Sequence, residues 1–128
     1  MAINGLDHIT LNVADLNASL RFYVDVIGLR EGDRPPFDSP GAWLYSGDRP
    51  IVHLVAGRDG GSASTGAFDH IALHAEGLAA MAERLATAGI AHEKFTVPRI
   101  GLKQIFIHDP DGVRIELTFG AAEIFPDD

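Results

Sequence analysis

The chain has 128 residues and a mass of 13.7 kDa, one domain's worth of material and enough to bury a core. Hydrophobic residues make up 46% and charged residues 22%, a globular composition rather than a disordered one, with no run of about 18 apolar residues to span a membrane. A net charge of −8 without clustered Lys or Arg argues against nucleic acid, and the absence of cysteine excludes disulfide and thiolate chemistry. With no signal peptide visible in Met-Ala-Ile-Asn-Gly-Leu-Asp-His, the expected location is the cytoplasm.

Gly5 to Val13 reads as a strand with Ile9, Leu11 and Val13 on one face and His8, Thr10 and Asn12 on the other. Asp15 is an N-cap for a helix over 16–27, whose buried stripe is expected at Leu16, Leu20, Tyr23 and Ile27, with Gly28 as its left-handed cap. A short strand from Leu29 follows, then a loop through Asp33-Arg34-Pro35-Pro36 and Ser39-Pro40-Gly41. Trp43-Leu44-Tyr45 and Ile51-Val52-His53-Leu54-Val55 are strands joined by the turn 46–50.

Residues 57–66 are rich in Gly and Ser and read as a linker, after which the pattern restarts. Phe68 to Ala75 is a strand, and 77–88 a helix with a stripe at Leu78, Met81 and Leu85 and a cap at Gly89. His92 to Val97, Leu102 to His108 and Val113 to Phe119 are strands, the last two separated by the turn Asp109-Pro110-Asp111-Gly112. Both halves thus read strand, helix, three strands, as modules of about 5–56 and 67–119 in a single domain. Asp7-His8-Ile9 returns as Asp69-His70-Ile71 at an offset of 62 (70 − 8), and Val52-His53-Leu54 aligns with Ile115-Glu116-Leu117 at 63 (116 − 53).

Four chemically active residues therefore occupy matched places: His8 with His70, and His53 with Glu116. Taken singly, each histidine reads as a hydrogen-bonded sheet residue and Glu116 as a solvated charge. Taken together, in two halves packed about a pseudo-twofold axis, they point to a metal site, because a carboxylate on an otherwise apolar strand needs a partner. Imidazole and carboxylate donors suit Fe(II), Mn(II), Ni(II), Co(II) or Zn(II). Trp43, Tyr45 and Phe106 are candidates for an aromatic substrate wall, and His74 for a cavity-lining group. Arg99, Lys103 and Arg114 are candidate anion anchors competing with a reading as solvated cations. His92 and His108, near strand ends, are expected at the surface.

The chain resembles the vicinal oxygen chelate superfamily, which includes glyoxalase I, methylmalonyl-CoA epimerase, fosfomycin-resistance thiol transferases, extradiol dioxygenases and bleomycin-resistance proteins. The resemblance rests on Leu6-Asp7-His8-Ile9, Phe22-Tyr23 before Ile27-Gly28-Leu29, Phe68-Asp69-His70-Ile71, and Asp109-Pro110-Asp111-Gly112 before Ile115-Glu116-Leu117. It implies an α+β fold in which two βαβββ modules form a cup-shaped mixed β-sheet with flanking helices. It further implies a divalent metal held by His8, His70 and Glu116. At the fourth position, where glyoxalase I has a glutamate and the epimerase a glutamine, this chain has His53, as ligand or as acid–base group. The function implied is that of a glyoxalase-like lyase or isomerase whose small substrate chelates the metal through vicinal oxygens. The alternatives are an Fe(II)-dependent extradiol dioxygenase, whose usual tyrosine is replaced here by Phe106, and a non-catalytic antibiotic-binding resistance protein. Relatives of this size imply a homodimer.

Overall fold

The computed structural model describes residues 1–57 and 65–126, so most of the linker expected over 57–66, and the last two residues of the acidic tail, lie outside the described residues. The chain divides into two compact units, Met1–Ser62 and Ala63–Asp128. Each contains one βαβββ module, and the fold class is α+β. Among the described residues no helix is long and apolar enough to cross a membrane.

The first module comprises strand β1 (Ile9–Val13), helix α1 (Leu16–Leu20) running on into a π-helical segment (Arg21–Ile27), then β2 (Arg30–Gly32), β3 (Gly41–Ser46) and β4 (Arg49–Ala56). Its sheet has the order β1-β4-β3-β2, with β1 parallel to β4 and the remaining pairs antiparallel. Period-two alternation turns Thr10 and Asn12 outward while Val13 is buried. The expected strand from Gly5 begins only at Ile9. Upstream, the Leu6 carbonyl accepts from the Arg49 guanidinium at 3.3 Å instead of joining the ladder, so His8 stands just before the strand.

Asp15 caps α1 as expected, its side chain accepting from the Ala18 amide at 3.1 Å. The uniform helix expected over 16–27 is corrected by its second half. There the Gly28 amide reaches back to the Tyr23 carbonyl at 3.1 Å, five residues rather than four. The wider turn lets the neighbours Phe22 and Tyr23 both face inward, their rings edge to face at 5.0 Å. Ser19, Phe22 and Tyr23 are buried, whereas Leu16, Leu20 and Ile27 are only half-buried. Gly28 adopts φ 99°, the left-handed cap that an L side chain would resist. Gly41, expected in the loop, opens β3 instead; a Cβ there would collide with the Leu54 carbonyl oxygen on the neighbouring strand. Leu44, Val52 and Leu54 form the inner face, each fully buried and each contributing about 1.5–3 kcal/mol.

The second module comprises β5 (Ile71–His74), α2 (Leu78–Thr87), β6 (Glu93–Thr96), β7 (Lys103–His108) and β8 (Arg114–Phe119), in the sheet order β5-β8-β7-β6. Again the first strand is parallel to the last. The stripe Leu78, Met81 and Leu85 is buried together with Ala82. No side chain of the α2 cap residue Gly77 can serve its N-terminus. The Glu123 carboxylate does so from the C-terminal segment, accepting from the Gly77 and Leu78 amides at 3.0 and 2.7 Å. Buried Asp109 fixes the last turn by accepting from the Asp111 and Val113 amides at 2.9 and 2.8 Å. On β8, Ile115, Leu117 and Phe119 are buried, while Arg114, Glu116 and Thr118 share the opposite, half-buried face.

The duplication is structural as well as sequential. Thr10 pairs with His53 in the first module and Ala72 with Glu116 in the second, so the two unlike residues occupy one register position. Each also faces an aromatic residue across the neighbouring strand, Trp43 and Phe106 respectively.

Candidate functional site

In the first module the His8 Nδ1 lies 2.7 Å from Asp7 Oδ2. An ionised carboxylate only accepts, so Nδ1 donates and the neutral ring carries its lone pair on Nε2. The His8 ring stacks on His53 with centroids 3.8 Å apart, and His53 stacks in turn on Trp43 at 4.0 Å, both pairs 12° from parallel. His53 is thus the filling of a three-ring stack and is 9% exposed. Its Nε2 donates to the Pro50 carbonyl at 3.0 Å, which leaves Nδ1 as its free lone pair. Burial lowers the His53 pKa below the ordinary histidine value, and the charge of protonated His8 lowers it further. The Pro50 bond and Asp7 pull the other way without reversing the shift. His53 therefore stays neutral at physiological pH. The hydrogen bond from His8 holds Asp7 below the usual carboxylate range.

The second module repeats the first half of this pattern. His70 Nδ1 lies 2.7 Å from Asp69 Oδ2, so its Nε2 also bears the lone pair in the neutral ring. Here the counterpart of His53 is Glu116, whose Oε1 lies 3.3 Å from His70 Nε2. Two lone pairs facing each other at that distance repel; a cation between them, proton or metal ion, reconciles them. The other oxygen, Oε2, accepts from the Thr118 hydroxyl at 2.6 Å. Asp69 is held below the usual carboxylate range chiefly by its hydrogen bond from His70, with Arg114 adding to the effect. Arg114 Nη1 lies 3.5 Å from Asp69, and its guanidinium sits 4.2 Å over the Phe106 ring, so its charge is already engaged. Phe106 meets His70 edge to face at 6.5 Å.

The other expected residues are placed more variously. Tyr45 donates its hydroxyl to the Asp33 carbonyl at 2.6 Å and carries the Arg30 guanidinium over its ring at 5.0 Å, so it braces its own module. Lys103 donates to the Gly101 and Ala121 carbonyls at 2.9 and 3.0 Å, tying two loops together. Arg99 is exposed in a turn at φ 72°. His92, expected at the surface, is half-buried and bonded through Nδ1 to the Ile90 carbonyl at 3.0 Å, whereas His108 is exposed. His74 does line a cleft, of about 950 Å³, together with Thr118, Phe119, Leu102 and Glu123.

Within each module, among the described residues, no three His, Asp or Glu side chains converge on one point. The donor chemistry nevertheless fits a divalent metal. Metal-binding imidazoles keep one nitrogen on a carboxylate or carbonyl and present the other, as His8 and His70 do. The second module adds a carboxylate oxygen beside the presented nitrogen. Sequence reasoning gave Asp7 and Asp69 no role although both belong to the repeated motif, and their recurrence before each histidine was the available signal. Thr118, which alternation puts on the strand face of Glu116 two residues beyond it, was likewise given no role.

Residues 5–117 match the model of the Glyoxalase/Bleomycin resistance protein/Dioxygenase superfamily. The chain is 33% identical over 119 residues to the uncharacterized protein YwbC of Bacillus subtilis, covering 87% of this chain and 94% of that one. It is 32% identical over 119 residues to a lactoylglutathione lyase of Salmonella typhimurium, covering 86% of this chain and 88% of the lyase. Its structure is similar to that of the glyoxylase/bleomycin resistance protein/dioxygenase domain from Frankia sp. EAN1pec, with 26% identity and a TM-score of 0.76 over 93% of this chain and 99% of that one. With the matched model spanning both modules and both Asp-His motifs, the chain belongs to the glyoxalase/bleomycin resistance protein/dioxygenase superfamily.

Proposed function

We propose that the protein is a divalent-metal-dependent, glyoxalase-like enzyme of the lyase or isomerase type. Both modules act as one domain, assembled as a homodimer, on a small substrate with two neighbouring oxygens. His8, His70 and Glu116 are the proposed metal ligands, and His53 the fourth functional group. The observation that carries this reading is the approach of His70 Nε2 to Glu116 Oε1 at 3.3 Å, an imidazole already anchored by Asp69 facing a carboxylate. The similarity to the Salmonella lactoylglutathione lyase supports the choice of reaction class.

When bound, the metal supplies Lewis-acid stabilisation to the negative charge that develops on a substrate oxygen. Asp7 and Asp69 hold His8 and His70 in the tautomer that presents Nε2. His53, kept neutral by burial, has Nδ1 free to take a proton from a carbon acid while the Pro50 carbonyl and the flanking rings fix its plane. Trp43 and Phe106 add apolar ring surface beside these groups in their own modules. For a dioxygenase, a hydroxyl would be wanted where the resemblance sets a tyrosine, and Phe106 has none.

The test is turnover of the metal-free protein reloaded separately with Mn(II), Fe(II), Co(II), Ni(II) and Zn(II). Substrates are the adducts of a 2-oxoaldehyde with glutathione and with other small thiols, and catechol-dependent O₂ uptake is followed in parallel. The reading predicts isomerisation of at least one adduct that requires metal and is abolished in His70→Ala and Glu116→Gln. Metal-loaded protein that turns over no adduct, or that only consumes O₂ with catechols, would overturn it.

A further inference from the structure

We infer that Thr118 is a positioning residue for Glu116, holding its carboxylate as a one-oxygen donor aimed past His70; the inference rests on the ligand role proposed for Glu116. The two residues lie two apart on β8, on the face opposite the buried Ile115, Leu117 and Phe119. Thr118 Oγ1 donates to Glu116 Oε2 at 2.6 Å, the short distance of a hydroxyl bound to an ionised oxygen. A threonine hydroxyl has one proton to give, and here it goes to Oε2, not to the Oε1 that lies beside His70. With Oε2 engaged, Oε1 is the oxygen left facing the imidazole at 3.3 Å. A carboxylate with both oxygens open can bind a cation through one or both; a donor fixed on one oxygen selects the first mode.

Two further observations separate this contact from an accident of strand geometry. The duplication that matches His53 with Glu116 matches Thr118 with Val55 (118 − 63), which has no hydroxyl. The hydroxyl is therefore present only in the module that carries the carboxylate. Thr118 also shares the lining of the cleft of about 950 Å³ with His74, its register partner on β5.

The experiment compares wild type, Thr118→Val, Thr118→Ser, Glu116→Gln and the Thr118→Val/Glu116→Gln double variant, each loaded with Co(II). Valine is isosteric and favoured in strands, so the metal-free Thr118→Val protein should melt near wild type. Affinity is read by competition with a chromogenic chelator, and ligand geometry by the visible Co(II) absorption bands. The inference predicts that Thr118→Val weakens Co(II) by about 10-fold to 100-fold and shifts the bands, whereas Thr118→Ser stays close to wild type. In the Glu116→Gln background the valine substitution should have little additional effect, because the two residues act as a unit. If Glu116→Gln weakens Co(II) but Thr118→Val matches wild type in affinity and spectrum, the role of Thr118 is refuted while the proposed function stands. If Thr118→Ser loses as much as Thr118→Val, the hydroxyl is not the cause and the inference is likewise overturned. If Glu116→Gln itself binds as wild type, the ligand reading fails and the role of Thr118 falls with it.

Discussion

Replacing Asp69 by alanine removes the acceptor that fixes the His70 tautomer without touching any proposed ligand atom. The affected bond is the 2.7 Å contact from His70 Nδ1, and Asp7→Ala removes its twin from His8. Loss of such a supporting carboxylate from a metal-binding histidine typically costs about 10-fold to 100-fold in metal affinity. The Asp69 and Asp7 side chains are 77% and 94% exposed, so water can take over much of their role. That places each single variant near the lower end, at about 10-fold. Because the two histidines are proposed to hold one ion, the double variant should lose more than either single variant, up to roughly 100-fold if the losses combine in full. Zn(II) affinity by competition titration reads the first effect. Long-range ¹H–¹⁵N spectra of the metal-free protein at pH 8 read the second directly, since they distinguish Nδ1–H from Nε2–H imidazole. The wild-type spectrum should show Nδ1–H at His8 and His70, with a mixture in the variants. Unchanged affinity in the double variant together with Nε2–H tautomers in wild type would exclude this role for Asp7 and Asp69.

The fold and its pH response can be tested by substitution as well. Burial, together with the His8 charge, lowers the His53 pKa, so the unfolded chain binds the proton more readily than the folded one. Its contribution to stability is therefore complete above the ordinary value of 6.5 and is lost as pH falls through that value toward the folded pKa. Denaturation at pH 7.5 and 5.5 should show a smaller acid-side loss in His53→Gln than in wild type, and an NMR titration of His53 should give a midpoint below 6.5. Leu85, 0% exposed on α2, should cost about 2–5 kcal/mol as Leu85→Ala in urea unfolding. Glu123→Ala strips the acceptor from two amides at the start of α2 and should cost about 1–2 kcal/mol, measurable in the same assay.

The architecture was largely legible because the duplication repeats its signals. Two alternating strands that open with Asp-His, and two hairpins offset by nearly the same length, sufficed to match His8 with His70 and His53 with Glu116. The observed registers, Thr10 against His53 and Ala72 against Glu116, bear that alignment out. The α2 stripe was equally clear, since Leu78, Met81 and Leu85 follow a regular helical period. The π-helical segment was not, because its cause is tertiary: Phe22 and Tyr23, adjacent in sequence, are both drawn inside. The first strand of each module starts later than alternation predicts, for a similar reason. Alternation continues through His8 and His70, but ladder pairing begins at Ile9 and Ile71, where β4 and β8 offer partners.

Side-chain roles were less legible than side-chain identities. That His53 would be a stacked, neutral ring depends on which residue of β3 lies opposite it, and sequence alone does not fix that register. Tyr45 has the composition of a binding-site aromatic, yet its hydroxyl is held by the Asp33 carbonyl from a loop without periodicity. Asp7 and Asp69 stand next to the histidines they orient, a spacing that no helix or strand period marks.

Metal occupancy decides whether His8, His70 and Glu116 form a metal site. Purified protein is stripped with chelator, dialysed against each divalent ion in turn, and analysed for bound metal by elemental analysis alongside His70→Ala and Glu116→Gln. About one tightly held ion per chain is expected in wild type, with clear loss in both variants and the metal-free fold retained. Occupancy below about a tenth of the chains for every ion, or variants that hold metal as well as wild type, would contradict that assignment.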